Sequence, residues 1–188
     1  MTHLYLIRHG KPAAGWGEDD DPGLDEQGRA QAEAVATRLM ELPSHLRPVR
    51  VVSSPLRRCR ETAEPFARAL GVAIEIDPDV GEIPTPAGLS NEARPAWLRE
   101  AMAGTWSQIR GDIDYEAWRQ RGVAALRRRS GVAVFSHFVA INAVVSALGG
   151  DDAVVVFRPD HTSVTVIENR DGELVLLERG AEAATRVL

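Results

Sequence analysis

Four short apolar runs, at residues 4–7, 49–53, 73–76 and 132–135, recur along the chain with helix-like stretches between them. Each is too short for a helix and is closed by polar or turn residues, the pattern of a buried strand. After the first run, Asp25 is a good helix N-cap, and Gly28, Ala32, Val35 and Leu39 then fall on one face as far as Met40. After the second, Ser54-Pro55 reads as N-cap and first helical residue. Leu56, Cys59, Ala63, Phe66, Ala67 and Leu70 form the core side of that helix, and Gly71 stops it. Asp114 caps another helix ahead of the fourth run, and Phe138, Ile141, Val145 and Leu148 recur at helical spacing after it. Strands alternating with helices call for right-handed crossovers and a largely parallel sheet covered on both faces. The expectation is a three-layer α/β/α fold. Two last runs, 163–168 and 174–178, flank Asn169-Arg170-Asp171-Gly172 and predict an antiparallel hairpin at one edge, while 154–157 is ambiguous.

Sheets of this kind hold their sites at the carboxyl ends of the strands. His9, Ser54 with Arg58, Glu82 and His137 each follow the end of a separate apolar run, so they are expected to converge on one rim. The tripeptide Arg8-His9-Gly10 sets a permanent cation beside an imidazole of ordinary pKa about 6.5. That disfavours the imidazolium and leaves a nitrogen lone pair able to accept a phosphoryl group. Arg57, Arg58 and Arg60 crowd a helix N-terminus that the macrodipole already makes positive, which suits an anion site. Arg57 and Arg60 have Glu61 and Glu64 four residues on, whereas Arg58 has Thr62. The periodicity alone leaves Arg57 and Arg58 both open. Each feature has a bland alternative: His9 as an idle loop residue, Glu82 as a surface carboxylate, His137 as a structural histidine at a helix start.

With 188 residues, 44% hydrophobic and 26% charged, the chain is expected to be one globular domain with a real core. A formal net charge of -5 argues against a general nucleic-acid or anionic-membrane surface. A single cysteine, Cys59, rules out an intramolecular disulfide and fits a reducing compartment. No apolar run approaches the roughly 18 residues of a membrane span, and the run after Met1 is too short for a signal peptide. The expected setting is cytoplasmic; the oligomeric state is left open. There is no G-x-x-x-x-G-K-[ST] and no G-x-S-x-G. Two histidines and a glutamate could hold zinc, but H-E-x-x-H is absent and two nearby arginines would repel a dication. No metal and no cofactor are expected.

The stretches LYLIRHG, LDEQGRAQA, VVSSPLRRCRETA, DPDVGE and VAVFSH, in that order, resemble the signatures of the histidine phosphatase superfamily, the phosphoglycerate mutase-like group. The resemblance covers most of residues 3–170. It implies one histidine phosphatase-like domain over 1–188, with a short cap at about 83–112. It selects Arg58, two residues after Leu56, as the arginine of the site. It implies catalytic roles for His9 (nucleophile), Glu82 (proton donor, then base), His137, Arg8 and Arg58. Arg8, His9, Arg58 and His137 would bind the phosphate. Two departures are visible: Phe138-Val139 stands where many members have Gly-Gly, and Lys11-Pro12 where an acidic or polar residue is usual. Lys11, Trp16 and Phe138 are candidate pocket-lining residues; His161 is given no role. The implied activity is a metal-independent phosphomonoesterase working through phosphohistidine on a small phosphorylated metabolite. The alternatives are a phosphoglycerate-type mutase, a protein phosphohistidine phosphatase and a non-catalytic phospho-ligand binding module. The family's mutases carry a longer cap and a C-terminal tail, neither of which is visible before Leu188.

Overall fold

The computed structural model describes residues 2–15, 19 and 21–183. Six strands form one sheet: β1 (Thr2–Arg8), β2 (Arg50–Ser53), β3 (Ile74–Ile76), β4 (Val132–Ser136), β5 (Val164–Arg170) and β6 (Glu173–Glu178). Their spatial order is β3-β2-β4-β1-β5-β6. The first four are parallel, β5 runs antiparallel to β1, and β6 returns along β5 as the edge hairpin. The expected architecture is present: an α/β fold with a mostly parallel sheet.

The strands' period of two sorts the core into two layers. Tyr5, Ile7, Val51, Ala133 and Phe135 face α1 (Glu26–Met40) and α2 (Arg57–Leu70), meeting Val35, Leu39, Ala63 and Phe66. Leu4, Leu6, Val52, Val132 and Val134 meet Val123 and Leu126 of α4 (Tyr115–Arg127) and Ile141, Val144 and Val145 of α5 (Phe138–Gly149). Burying each such aliphatic side chain is worth roughly 1.5–3 kcal/mol. Residues 154–157 form no strand. Val154 and Phe157 are buried, and the Asn142 side chain accepts from the backbone N–H groups of Val156 and Phe157.

The expected caps are in place at Asp25, which accepts from Gly28 N at 2.6 Å, and at Asp114, which accepts from Ala117 N at 2.8 Å. Gly71 closes α2 in the left-handed region, with φ 70°. The start of α2 differs from expectation. Its N-cap is Leu56, so Ser54 and Pro55 stay outside the helix, and Ser54 Oγ accepts from Leu56 N at 3.3 Å and meets His137 Nε2 at 2.7 Å.

Between β3 and α4 the chain makes a 3₁₀ turn, Pro78–Val80, and then the helix α3 (Arg94–Ala103). This stretch owns a third apolar cluster. Ile83, Leu98 and Trp106 pack with Tyr115, Trp118, Phe138 and Val139. The 83–112 segment is thereby anchored to the first turn of α5, next to the sheet's carboxyl edge.

Candidate active site

Because β3, β2, β4 and β1 are parallel neighbours, all four end on the same edge. The ladder continues past the strands: His9 N donates to Ser136 O, Ser54 N to Phe135 O and Asp77 N to Ser53 O, each at 3.0 Å. These bonds fix the register in which the next side chains emerge. The His9 and His137 rings meet edge to face, 5.3 Å between centroids. Arg58, from the first turn of α2, brings Nη2 to 3.3 Å from His137 Nδ1. Glu82, just beyond the 3₁₀ turn, brings Oε2 to 3.6 Å from Arg58 Nη2 and 3.5 Å from His137 Nδ1. Its other oxygen accepts from Ile83 N. Arg8, His9, Arg58, Glu82 and His137, all named from the sequence, form one cluster, buried except for Glu82, whose side chain is partly exposed.

The two arginines left open by periodicity part company here. Arg57 is exposed and bonds Glu61 through Nε at 2.6 Å, while Arg58 is only 8% exposed and turns inward. Thr62 ties this turn to the first loop, accepting from Gly10 N at 2.9 Å and donating to Arg58 O at 2.6 Å. Gly10 admits no side chain, since a Cβ there would lie 2.7 Å from the carbonyl oxygen of Gly28 in α1.

His9 has a defined tautomer. Its Nδ1 sits 2.7 Å from Gly10 O, and a carbonyl only accepts, so Nδ1 carries the hydrogen and Nε2 keeps its lone pair. Burial, then Arg58 and Arg8, hold this imidazole neutral far below the ordinary histidine range. His137 is held neutral by burial and the same two guanidinium groups. Arg8 stacks over the Phe138 ring, 5.3 Å to its centroid, and donates through Nη1 to Pro159 O. Burial lowers its pKa to about 10, which still leaves a cation at neutral pH. Its buried Nε has no hydrogen-bond partner among the described residues. Arg8, Arg58 and, near His137, Arg94 outnumber the carboxylates Glu82 and Asp160, so the cluster carries net positive charge. The first turn of α5 opens on it with no side-chain cap from His137. Such a cavity suits a phosphate dianion.

Phe138, a candidate pocket-lining residue, is buried beneath Arg8 and serves as its platform. Lys11 directs its ammonium to Asp25 at 3.0 Å and to Gln27 at 3.2 Å, over the start of α1. Trp16 lies outside the described residues. Sequence reasoning passed over His161, whose ring centroid is 5.8 Å from that of His9. Its turn is strapped to β1: Thr162 N donates to Arg8 O, and Arg8 N to Ser163 O. The missed signal is topological. A strand antiparallel to β1 must begin where β1 ends, so the residues before β5 reach the rim. Among the described residues, no group of three or more His, Cys, Asp or Glu side chains could hold a metal ion, and no helix is long and apolar enough to cross a membrane.

The histidines predict acid sensitivity. Burial and Arg8 lower the pKa of His161 to about 4; His9 and His137 also lie well below 6.5. Below pH 6.5 the unfolded chain therefore takes up protons that the native chain refuses. Stability is full above pH 6.5 and falls as the pH drops towards the native values, by about 1.4 kcal/mol per pH unit for each histidine. Denaturant titrations at pH 7.5, 6 and 5 measure the slope, and His161→Gln should remove one histidine's share between pH 6.5 and 4. An unchanged slope in that variant would contradict the assignment.

The model of the histidine phosphatase superfamily (branch 1) matches residues 4–181. The chain belongs to that superfamily. Over 90 residues it is 39% identical to the probable phosphoglycerate mutase GpmB of Escherichia fergusonii, covering 44% of this chain and 39% of the relative. Over 126 residues it is 36% identical to an uncharacterized protein of Mycobacterium tuberculosis, covering 60% of each. The matches thus span 39% and 60% of these relatives, less than two thirds of either. A phosphoserine phosphatase from Entamoeba histolytica, solved with 3-phosphoglyceric acid, superimposes with TM-score 0.75 at 22% identity, over 96% of this chain and 98% of that one. A mycobacterial glucosyl-3-phosphoglycerate phosphatase solved with VO3 gives 0.70 at 24% identity, over 97% and 100%. At such identities the structural likeness speaks for the fold.

Proposed function

We propose that this superfamily member is a metal-independent phosphomonoesterase that works through a phosphohistidine at His9. The observation that carries the reading is the His9 tautomer, a neutral imidazole with Nε2 free beside two buried guanidinium groups. Nε2 attacks phosphorus in line, and the bond from phosphorus to the alcohol oxygen breaks. Arg8, Arg58 and His137 hold the equatorial oxygens as charge builds. Glu82, protonated, gives its hydrogen to the departing alkoxide. The resulting carboxylate takes a proton from the water that cleaves the phosphorus–nitrogen bond, releasing orthophosphate and restoring His9. The 83–112 segment acts as a short cap of a single domain and bounds the space for the alcohol. Relatives and neighbours named for phosphoglycerate, phosphoserine and glucosyl-3-phosphoglycerate make small phosphorylated metabolites the first compounds to try. The matched stretch of a probable phosphoglycerate mutase supports a second reading, phosphoryl transfer back to a phosphoglycerate.

The test is phosphate release from p-nitrophenyl phosphate and a panel of phosphorylated metabolites, with and without EDTA. Release indifferent to chelator is expected. Loss with EDTA would overturn metal independence, and phosphate binding without release would return the protein to a binding module. Interconversion of 2- and 3-phosphoglycerate outpacing release would favour the mutase. Within this scheme Arg58→Ala should lose kcat/KM on the order of 10²-fold or more, because a guanidinium leaves the transferring group. Arg57→Ala, which among the described residues severs the exposed Glu61 pair, should change it far less. Equal losses would remove Arg58 from the phosphate.

A further inference from the structure

His161 stands on the rim of the site and has no part in the reaction scheme above. We propose that His161 is a further phosphate-binding residue: it takes up a proton as the anion enters and donates a ring N–H to the phosphoryl group at His9, from the side opposite His137. The assignment rests on the phosphatase reading for its kinetic consequence and on phosphate binding alone for its direct test.

The strand order places it there. β1 lies between β4, to which it is parallel, and β5, to which it is antiparallel. Arg8 pairs with Ser136, so His9 comes level with His137, and their rings stand 5.3 Å apart. On the other side Ile7 pairs with Val164 and Thr162 N donates to Arg8 O, which sets the His161 ring 5.8 Å from that of His9. His9 Nδ1 is engaged by Gly10 O, so phosphorus must join Nε2, on the middle one of three imidazoles. The backbone around His161 is firmly held. Pro159 O accepts from Arg8 Nη1 and Thr162 O from Arg38 Nη2, both at 2.9 Å, and Asp160 N donates to Ala181 O at 2.8 Å. The ring itself is uncommitted: its side chain is 24% exposed, and among the described residues neither nitrogen makes a hydrogen bond. Asp160 Oδ1 stands 4.0 Å from Nδ1, beyond hydrogen-bond length, and accepts instead from the His161 backbone N–H at 2.8 Å. A fixed loop that carries an unbonded imidazole to the nucleophile has the form of a ligand contact.

The charges around the ring give the proton its role. Arg8 and His9 face it from the end of β1, Lys11 from the loop beyond, Asp25 from the cap of α1 and Asp160 from its own turn. In the free protein burial and Arg8 keep the ring neutral, with a pKa of about 4. A phosphate dianion over His9 offsets Arg8 and adds to the two carboxylates, which favours the imidazolium. That form carries a hydrogen on both nitrogens, so one is available whichever edge meets the phosphate. The proton comes from the buffer and returns to it when orthophosphate leaves.

The experiment follows the His161 ring resonance by NMR through a pH titration, without and with saturating inorganic phosphate, the signal being assigned by its absence from His161→Gln. Its midpoint should lie near 4 in the free protein and move up when phosphate is bound. In parallel, His161→Ala should bind phosphate about tenfold more weakly than the wild type at pH 6 and nearly as well at pH 8, where the proton is no longer taken up. KM for p-nitrophenyl phosphate should rise in step at pH 6. His161→Gln, which keeps an N–H donor without the charge, should fall between the two. A midpoint that phosphate leaves in place overturns the proposal, as does equal phosphate affinity in wild type and His161→Ala at pH 6. A wild type that binds no phosphate overturns it too. If His161→Ala does not fold, the wild-type titration decides. If no phosphate ester is hydrolysed, the phosphatase reading fails while the phosphate titration still settles His161.

Discussion

His9→Ala is expected to abolish phosphate release, a loss on the order of 10⁴-fold or more in kcat, because removing a nucleophile leaves only what binding and electrostatics contribute. It should equally abolish acid-labile labelling of the protein by a phosphoryl donor. Alanine keeps the backbone bond from residue 9 to Ser136 O, and the cavity of Arg8, Arg58 and His137 stays. The variant should therefore still bind inorganic phosphate. Labelling retained at another residue would take His9 out of the nucleophile role. Loss of phosphate binding together with turnover would mean that the substitution had collapsed the pocket.

Glu82→Gln should separate substrates by their leaving groups. A general acid contributes about 10²–10⁴-fold when the departing alkoxide is strongly basic, and little when it leaves unprotonated. Hydrolysis of alkyl phosphates should fall by that factor. Formation of phospho-His9 from p-nitrophenyl phosphate should fall much less, since nitrophenolate departs alone. The same carboxylate is proposed to activate water, so dephosphorylation should then limit turnover. A burst of nitrophenol equal to the enzyme concentration, followed by slow release, is the expected trace. Glutamine keeps an oxygen able to accept from Ile83 N, so the turn should hold its place. Equal, modest losses for both substrates without a burst would make Glu82 a structural carboxylate and move the search for the acid to the 83–112 segment.

What the chain reveals without its structure follows from local physics. Alternating β-type runs and helical faces, punctuated by Asp25, Gly71 and Asp114, imply a layered α/β sheet because period and capping are properties of neighbouring residues. That His9, Arg58, Glu82 and His137 would share an edge follows as well, since parallel strands end together. Other matters depend on which strands are neighbours, and no local pattern states that. His161 stands beside His9 because β5 runs back along β1. Phe138, at the start of α5, lies beneath the guanidinium of Arg8, which comes from β1. The free nitrogen of His9 is chosen by a carbonyl one residue on, yet the loop holds that turn only while Gly10 is tied to Thr62 and pressed against Gly28. Ser54 reads as a helix cap in sequence, since Ser-Pro suits one. Folding instead caps the helix at Leu56 and buries the hydroxyl against an imidazole 83 residues away.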